Sequence, residues 1–571
     1  MSVSTALITR LTAIYNKAEE VYKQEEIGPR INKLARFYHY GYSGSTEASD
    51  HEASDTDSPD QIHVNKVYPR VSAAMAQLYA KRPVVHALAN RATDTNAAEV
   101  SEVLLNYCLR VQKQAKEFRE ALFWSRLTMY GCVKLGMEKW RGVSLPSVRA
   151  HDPRSVRVDV TMDRWRPEEG RWQAFKYKKS VSALRASGLY EERDVDRLCD
   201  QIIKDKKDHF HEETTDVWIW ENYVYDGNKI LIATVAHGFD EKGFSQDDRV
   251  WIREGQFTNV IGLPGRFLTF VPSPKTWYPV SPVELWLDQL KEINVFRTQK
   301  VLAAEASNPK TLVDSGAFTE AELDKLEIPG RGYIQVNSGK LKDAMAVEPS
   351  ASVNPDIYAG EREADDTITE IDGIGTAQLG VEAPNRGSVS ATRDAIAQQN
   401  LSMRSGQNQE VWEEFVEDCL QGELALAQEH MKGDLFLRIV GQREMKMSRE
   451  DIQGDIAVTI GIGSMGPQDD KEKKENANEF YAIASQNPLL NQNKVTKYWL
   501  MKQGDIKDFE TWMAQPTLTP PGGVPGMTPP GAGLPGDPGQ ALQQVGVTAQ
   551  QTGAAPLSVA SMLRDSAGGQ A

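Results

Sequence analysis

The stretch from Ser281 to Met431 limits most sharply what this chain can fold into, because it carries its own start and stop signals. It opens Ser281-Pro282-Val283-Glu284: a serine that can cap, a proline suited to the first helical position, and a glutamate that completes a capping box. Val283, Trp286, Leu287, Leu290 and Ile293 then recur at helical spacing. This helix should stop before Asn308-Pro309, since the residue ahead of a proline disfavours the α region. A second helix starts at Asn354-Pro355-Asp356 with the same chemistry and ends at Gly373. Between the two lies a small insert. It holds a short strand at 311–314, a capping box from Thr319 to Glu322, the turn Pro329-Gly330-Arg331-Gly332 and a strand at 333–336. Its core is too small for independent stability, so it must pair with neighbours. After Gly373 comes a glycine-rich segment with one cation, Arg386. From Ser390 to Met431 the pattern is helical over about 60 Å, with Ser405-Gly406 the expected kink.

The second helix is acidic. Asp356, Glu361, Glu363, Asp365, Asp366, Glu370 and Asp372 share it with one cation, Arg362. Its apolar positions are few (Ile357, Tyr358, Ile368, Ile371). Alone it would not hold in water, so it is expected to pack on other helices while showing an acidic face to solvent.

The 571 residues suggest two to four substructures, and a hydrophobic content of 40% with 25% charged residues fits a folded protein. A formal charge of −15 argues against gripping nucleic acid by counterion release, though not against letting it pass. Cys108, Cys132, Cys199 and Cys419 are scattered with no CxxC, so buried free thiols are expected rather than zinc or disulfides. No run reaches the roughly 18 apolar residues that a membrane span needs, and no signal peptide core opens the chain, so no membrane partner is expected.

Along the rest of the chain, residues 1–40 read as one or two helices and 43–60 as a polar acidic loop. Further helices are expected at 62–80, 97–110, 115–129 and 178–199. Strands are expected at 131–140, 147–150, 156–159, 216–225, 229–236, 267–271, 435–440 and 455–460, with a hairpin turn at Asp226-Gly227. Helix returns at 469–500 with a break at Asn487-Pro488, and beyond Gln515 the chain is proline- and glycine-rich.

Catalytic chemistry is absent from the motifs. There is no phosphate loop, no HExxH and no GxSxG. Gly373-Ile-Gly375 and Gly461-Ile-Gly463 lack dinucleotide spacing and are turn glycines. His209 and His211 would share a face on a strand, but no third ligand group stands near, so a solvated charged turn is the better reading. Asp365 and Asp366 are adjacent on a helix and point apart, which excludes a paired metal site. No cofactor and no metal are expected.

Several strings, taken in order, resemble the portal proteins of tailed bacteriophages. They are Asn65-Lys-Val-Tyr-Pro-Arg70 leading to Arg82-Pro83; Tyr130-Gly131 before a strand; and Ser281-Pro282 followed by Leu290 to Asn294. Next come Asn308-Pro309 and the Pro329-Gly330 turn. Last comes the Gly373–Gly387 segment before Ser388 to Thr392 and a long helix with Gln398, Gln399 and Arg404. The ordered set, spanning roughly 62–510, carries the likeness.

The resemblance implies an α+β, portal-like subunit in a ring oligomer. Its parts would be N-terminal helices and an acidic loop (1–61), the first part of an α/β wing (62–280), and stem helices (281–308 and 354–372) around a small β-rich clip (309–353). A tunnel loop (373–389), the long kinked wing helix with its strands (390–468), a helical crown (469–515) and a Pro/Gly-rich tail (516–571) would follow. It further implies a homo-oligomer, usually of twelve subunits, at one capsid vertex of a virion made in a bacterial cytoplasm. Double-stranded DNA would be packaged through it by the large terminase and later ejected, and capsid, scaffolding and head-tail adaptor proteins would bind it. On this reading Asp365, Asp366 and Glu370 contribute a negative channel wall, while Asn385 and Arg386 make brief phosphate contacts. Arg331, Lys340 and Lys342, cationic and beside turns, are candidates for partner contacts on the clip. The competing readings are another structural ring or adaptor of the virion neck, and an enzyme with an unrecognised site.

Overall fold

Two strands 371 residues apart in the chain pair with each other and tie the fold together. The computed structural model describes residues 4–41, 62–205, 211–213, 215–237, 249–306, 311–313, 345–347, 355–375, 391–438, 444–461, 470–487, 495–496 and 499. The chain divides into a unit Met1–Phe509 and a unit Glu510–Ala571, the second wholly outside the described residues.

Helices α1 (Thr5–Gln24) and α2 (Ile27–Tyr40) open the chain. Ser4 caps α1 by accepting the Leu7 N–H, and Gly41, at φ 80°, ends α2. Helix α3 (Val67–Leu78) starts later than the apolar stripe from Ile62 suggests. Pro69 lacks an N–H and fits only a first helical turn, and Asn65 Oδ1 accepts the Tyr68 N–H just ahead of it. Strand β1 (Val85–Ala89) leads to α4 (Thr95–Val111) and α5 (Gln114–Leu127). The hairpin β2 (Gly131–Trp140) and β3 (Val143–His151) turns at Arg141 and Gly142, with φ of 48° and 87°. That pair of positive φ values is what a two-residue hairpin turn demands.

Strands β4 (Val156–Val158) and β5 (Trp172–Ser180) follow. The helix expected at 178–199 needs correction. Lys178 to Ser180 finish β5, and Ser180 Oγ accepts the Ala183 N–H to start α6 (Val181–Ser187). Gly188, at φ 61°, stops it, and α7 (Glu192–Asp205) begins afresh. Next come β6 (Asp216–Asp226) and β7 (Lys229–His237), turning at Gly227-Asn228, one residue past the expected Asp226-Gly227, because Asp226 still pairs with Lys229; then β8 (Arg249–Phe257) and β9 (Gly265–Leu268).

The remaining elements are α8 (Leu287–Ala306), β10 (Thr311–Val313), β11 (Met345–Val347), α9 (Pro355–Asp372) and the 40-residue α10 (Ala391–His430). After these stand β12 (Leu435–Arg438), β13 (Glu444–Met447), β14 (Ile456–Ile460) and α11 (Asp470–Ala484). Helix α10 is continuous through Gly406, where a kink was expected. Of the insert, the described residues hold only the β10–β11 pair. The helix after Thr319 and the strand at 333–336 lie outside the described residues.

The described sheets are antiparallel throughout, which with the helices makes a mixed α+β fold. Five strands run in the order β4-β5-β6-β7-β8, three in the order β3-β2-β9, and β1-β14, β10-β11 and β12-β13 are pairs. A two-stranded ribbon is marginal alone, and β1–β14 survives because side chains satisfy both of its edges. Asn106 of α4 exchanges bonds with the Val85 backbone at 3.3 and 2.9 Å, and Glu102 accepts the Ala87 N–H. On the other edge Gln421 of α10 spans Ile456 and Val458, and Glu417 accepts the Ile460 N–H at 2.7 Å. The same stretch of α10 buries Trp412, Val416, Cys419 and Leu420 against Phe118 and Leu122 of α5 and Val133 and Leu135 of β2. All four cysteines are buried free thiols.

Two positions in this core carry predictions. A Cβ on Gly131 would lie 2.0 Å from the Ala121 carbonyl oxygen, a backbone atom that cannot swing aside. Gly131→Ala is therefore expected to cost about 3 kcal/mol, read as a lowered midpoint in chemical unfolding. Glu423, fully buried on α10, accepts from Gln114 Nε2 at 2.5 Å, and burial pushes its carboxyl up to about 8. As pH rises from about 4, the unfolded chain ionises there while the folded chain stays protonated, so stability falls across that window up to about pH 8. Glu423→Gln should flatten the fall, and its unfolding midpoint should exceed that of the parent at pH 8.

Candidate functional site

The α8–α9 pair is built from local signals at each end. Ser281 Oγ accepts the Val283 N–H at 3.1 Å, and the Glu284 carboxylate reaches back to the Ser281 N–H at 3.3 Å. This is the expected capping box, opening through one 3-10 turn (Glu284–Trp286) before α8. Ser281 Oγ also donates to the Leu127 carbonyl, which fixes the start of α8 to the end of α5. Arg30 of α2 grips Glu284 with two bonds of 2.9 and 2.7 Å. At its far end α8 stops at Ala306, ahead of Asn308-Pro309.

The two helices run antiparallel. Leu290 and Ile293 of α8 share a core with Ala364 and Ile368 of α9. Further along, the Phe296 ring lies against Gly360, where a Cβ would come within 2.5 Å of it. Glu361 takes Arg297 at 2.5 Å and also Lys300, and the Lys300 ammonium sits 4.2 Å above the Tyr358 ring. Val283 and Trp286 mark the opposite end, beside the end of α9.

At that end the acidic helix meets buried cations. The Arg70 guanidinium, 3% exposed, donates to the Ile374 carbonyl at 3.3 Å and Thr369 Oγ1 at 3.1 Å. It also lies 3.6 Å from Asp365 and 3.7 Å from Asp372. Lys66 pairs with Asp365 at 3.2 Å, and Arg126 of α5 with Asp372 at 3.8 Å. Burial raises the Asp372 pKa against the pull of Arg126 and Arg70, and burial lowers that of Arg126. Gly373, at φ 75°, ends α9 by donating to the Thr369 carbonyl at 2.9 Å. The point where the chain leaves α9 for 376–390 is thus clamped to α3 and α5.

The expected site residues divide as follows. Asp365 is half-buried and committed to Lys66 and Arg70, while Asp366 and Glu370 are exposed. Asn385, Arg386, Arg331, Lys340 and Lys342 lie outside the described residues. Three of the helix's carboxylates, Glu361, Asp365 and Asp372, turn to cations on other elements rather than to solvent. Sequence reading missed Arg70 and Arg126 as clamps. The available signal for Arg126 was a charge four residues after Leu122 on the apolar face of α5.

A second buried charge cluster lies away from this pair. Lys134 of β2 donates to Glu221 of β6, which also accepts from Tyr223 at 3.0 Å and faces Arg253 at 3.7 Å. Burial works against the Lys134 charge, but Glu221 and Tyr223 outweigh it and hold its pKa above the ordinary value. Burial, then the Lys134 charge, pushes His151 down to about 3. The Phe175, Tyr177 and Tyr223 rings lie 5.3 to 5.8 Å from the Lys134 ammonium. The cluster joins the three-stranded sheet to the five-stranded one, with its charges mutually satisfied. Among the described residues no group of three or more His, Cys, Asp or Glu side chains could hold a metal, and no helix is long and apolar enough to cross a membrane.

Arg70→Ala would leave Asp372 with one distant cation and two acceptors unmet. It is expected to cost about 3–5 kcal/mol in chemical unfolding. Arg70→Lys should recover less than half, because a single ammonium cannot span both Thr369 Oγ1 and the Ile374 carbonyl.

No protein-family description and no curated protein matches the chain. Among solved structures it is similar to a chain of the virion of a native gene transfer agent particle, at 12% identity and a TM-score of 0.34, over 83% of this chain and 98% of that one. It is also similar to chains in two gene transfer agent necks. For the neck of the empty particle, computed with C6 symmetry, identity is 12%, coverage 79% and 98%, and the TM-score 0.39. For the neck of the native particle, computed with C12 symmetry, the values are 11%, 76% and 99%, and 0.34. At these identities and TM-scores, function must be read from the chain's own residues.

Proposed function

We propose that this chain is a structural subunit of a ring, usually twelve copies, through which double-stranded viral DNA is packaged and later released at one vertex of a capsid. One observation carries the reading most directly. Helix α8 is apolar on two sides: Leu290 and Ile293 are buried against α9, while Val295 and Leu302, seven residues apart, are 54% and 38% exposed. Such a helix leaves apolar surface for further copies to cover. The ordered strings from Asn65 to Arg404 and the helix–insert–helix order supply the portal character of the ring.

In this reading α8 and α9 are the stem, and the insert at 309–353 is the clip that meets the large terminase and later the head-tail adaptor, with Arg331, Lys340 and Lys342 as contacts. Asp366 stands behind the buried Ala364–Ile368 face of α9 and, with Glu370, supplies negative charge to the channel wall. Asp365 contributes less, being neutralised by Lys66 and Arg70. Asn385 and Arg386 make passing contacts with phosphates. The work is structural, done by shape and charge, with no cofactor required.

Negative-stain microscopy of the purified protein tests the ring: particles with a central hole wide enough for duplex DNA are expected, and a compact monomer sinks the proposal. Arg386→Glu should leave the rings intact and lower DNA packaging or retention. Undiminished packaging by that variant removes Arg386 from the DNA path.

A further inference from the structure

Residues 42–61 depart from and return to the described chain at one place on α8, and that place borders a cationic groove. Asn294, buried on α8, donates to the Gly41 carbonyl at 3.5 Å through Nδ2 and accepts the Val64 N–H at 2.8 Å through Oδ1. One turn on, Thr298 Oγ1 accepts the Ile62 N–H at 3.0 Å. Both ends of the segment are therefore pinned within about 6 Å of each other along the helix axis. The groove lies between α8 and α9, has a volume of about 260 Å³, and gathers Lys66, Arg297, Lys300 and Arg362 around Glu361 and Asp365. Four cations thus face two carboxylates. Glu361 is taken up by Arg297 and Lys300, and Asp365 is shared by Lys66 with Arg70 outside the groove. Arg362 is exposed and has no ion pair among the described residues. The described residues leave the groove with surplus positive charge.

Acid to balance it stands in the sequence between the two pins. Residues 43–60 hold Glu47, Asp50, Glu52, Asp55, Asp57 and Asp60, and no lysine or arginine. Reach is ample, since a chain of this length extends to about 3.3 Å per residue, while Lys300 stands only about 9 Å along α8 from Asn294. We infer that the acidic segment 43–60 docks into the groove of its own chain, with its carboxylates on Arg297, Lys300 and Arg362. Tethering at both ends gives it a high effective concentration there, so it outcompetes free anions. A groove filled in this way turns away the phosphates of a duplex. The contact weakens as salt screens it. Docking of this kind needs one chain only and holds whether or not copies form a ring.

Carbodiimide coupling tests the contact, because it joins carboxylates to amines only where they touch. In the full-length protein at low salt, mass spectrometry should find residues 47–60 joined to Lys66 or Lys300. Arg297→Gln with Arg362→Gln should lower the yield roughly tenfold, and so should high salt, with circular dichroism confirming the fold. A second variant leaves every described element untouched: Glu47→Gln and Glu52→Gln with Asp50→Asn, Asp55→Asn, Asp57→Asn and Asp60→Asn. By fluorescence anisotropy at low salt it should bind a short DNA duplex roughly tenfold more tightly than the parent, and adding the two arginine changes should abolish the gain. Absence of coupling to either lysine overturns the docking. Coupling found only between chains of different isotope label, in a mixture of the two, places the segment on a neighbouring copy and overturns docking within one chain. Equal DNA binding by the parent and the neutralised variant overturns it as well. A gain that survives the arginine changes shows the segment shielding some other surface, and the groove is then not its seat.

Discussion

The buried guanidinium of Arg70 is the interaction on which the helix pair depends. Without it the end of α9 would bring Asp365 and Asp372 against α3 and α5 with too few cations to neutralise them. Removing a carboxylate from water costs several kcal/mol unless charge and hydrogen bonds are returned. Arg70 returns both, since its planar fork reaches a carbonyl, a hydroxyl and two carboxylates at once. Arg126 shares Asp372 from the other side. The clamp lies where α9 ends, so Gly373 and Ile374 leave the helix at a point held by buried charge. The start of α8, at the same end of the pair, is fixed as firmly, by Glu284 held between its own capping box and Arg30.

Local chemistry made the helix pair legible. Ser281, Glu284, Pro355 and Gly373 act on their immediate neighbours, so their roles can be read without knowing the fold. The hairpin after β6 was legible to within one residue for the same reason, since Gly227 supplies the positive φ its turn needs. What could not be read depends on distant partners. Strand β5 looked helical at Lys178 because its lysines suggest solvent. In the fold Lys176 and Lys178 lie 4.2 and 4.7 Å above the Trp218 ring of the next strand, where aromatic faces accept the charge. The short β1 gives little pattern by itself, and its hydrogen bonds go to α4 and to a strand near residue 460.

The acidity of α9 is the instructive case. The composition shows seven carboxylates and one arginine, and a bare negative face follows from that alone. The fold draws Glu361, Asp365 and Asp372 toward cations that lie from 61 to 302 residues away in the chain, with Lys300 beside Glu361 and Arg70 beside Asp372 as the extremes. Which arginines are buried is not written in a periodicity, because a buried arginine is rare and is defined by its partner. Charge counts along a segment therefore overstate what solvent sees.

The pairing of β1 with β14 has a consequence in time. Val85 meets Ile460 across 375 residues of chain, and loop closure over such a distance is slow. Synthesis proceeds from the N-terminus, so Asn106 and Glu102 of α4 must wait, with the strand they support unfinished, until residue 460 has left the ribosome. A truncated or interrupted chain cannot complete this ribbon, and α10, whose Gln421 and Glu417 hold its outer edge, cannot settle. The ribbon works as a check that only a chain complete to residue 460 presents a finished fold.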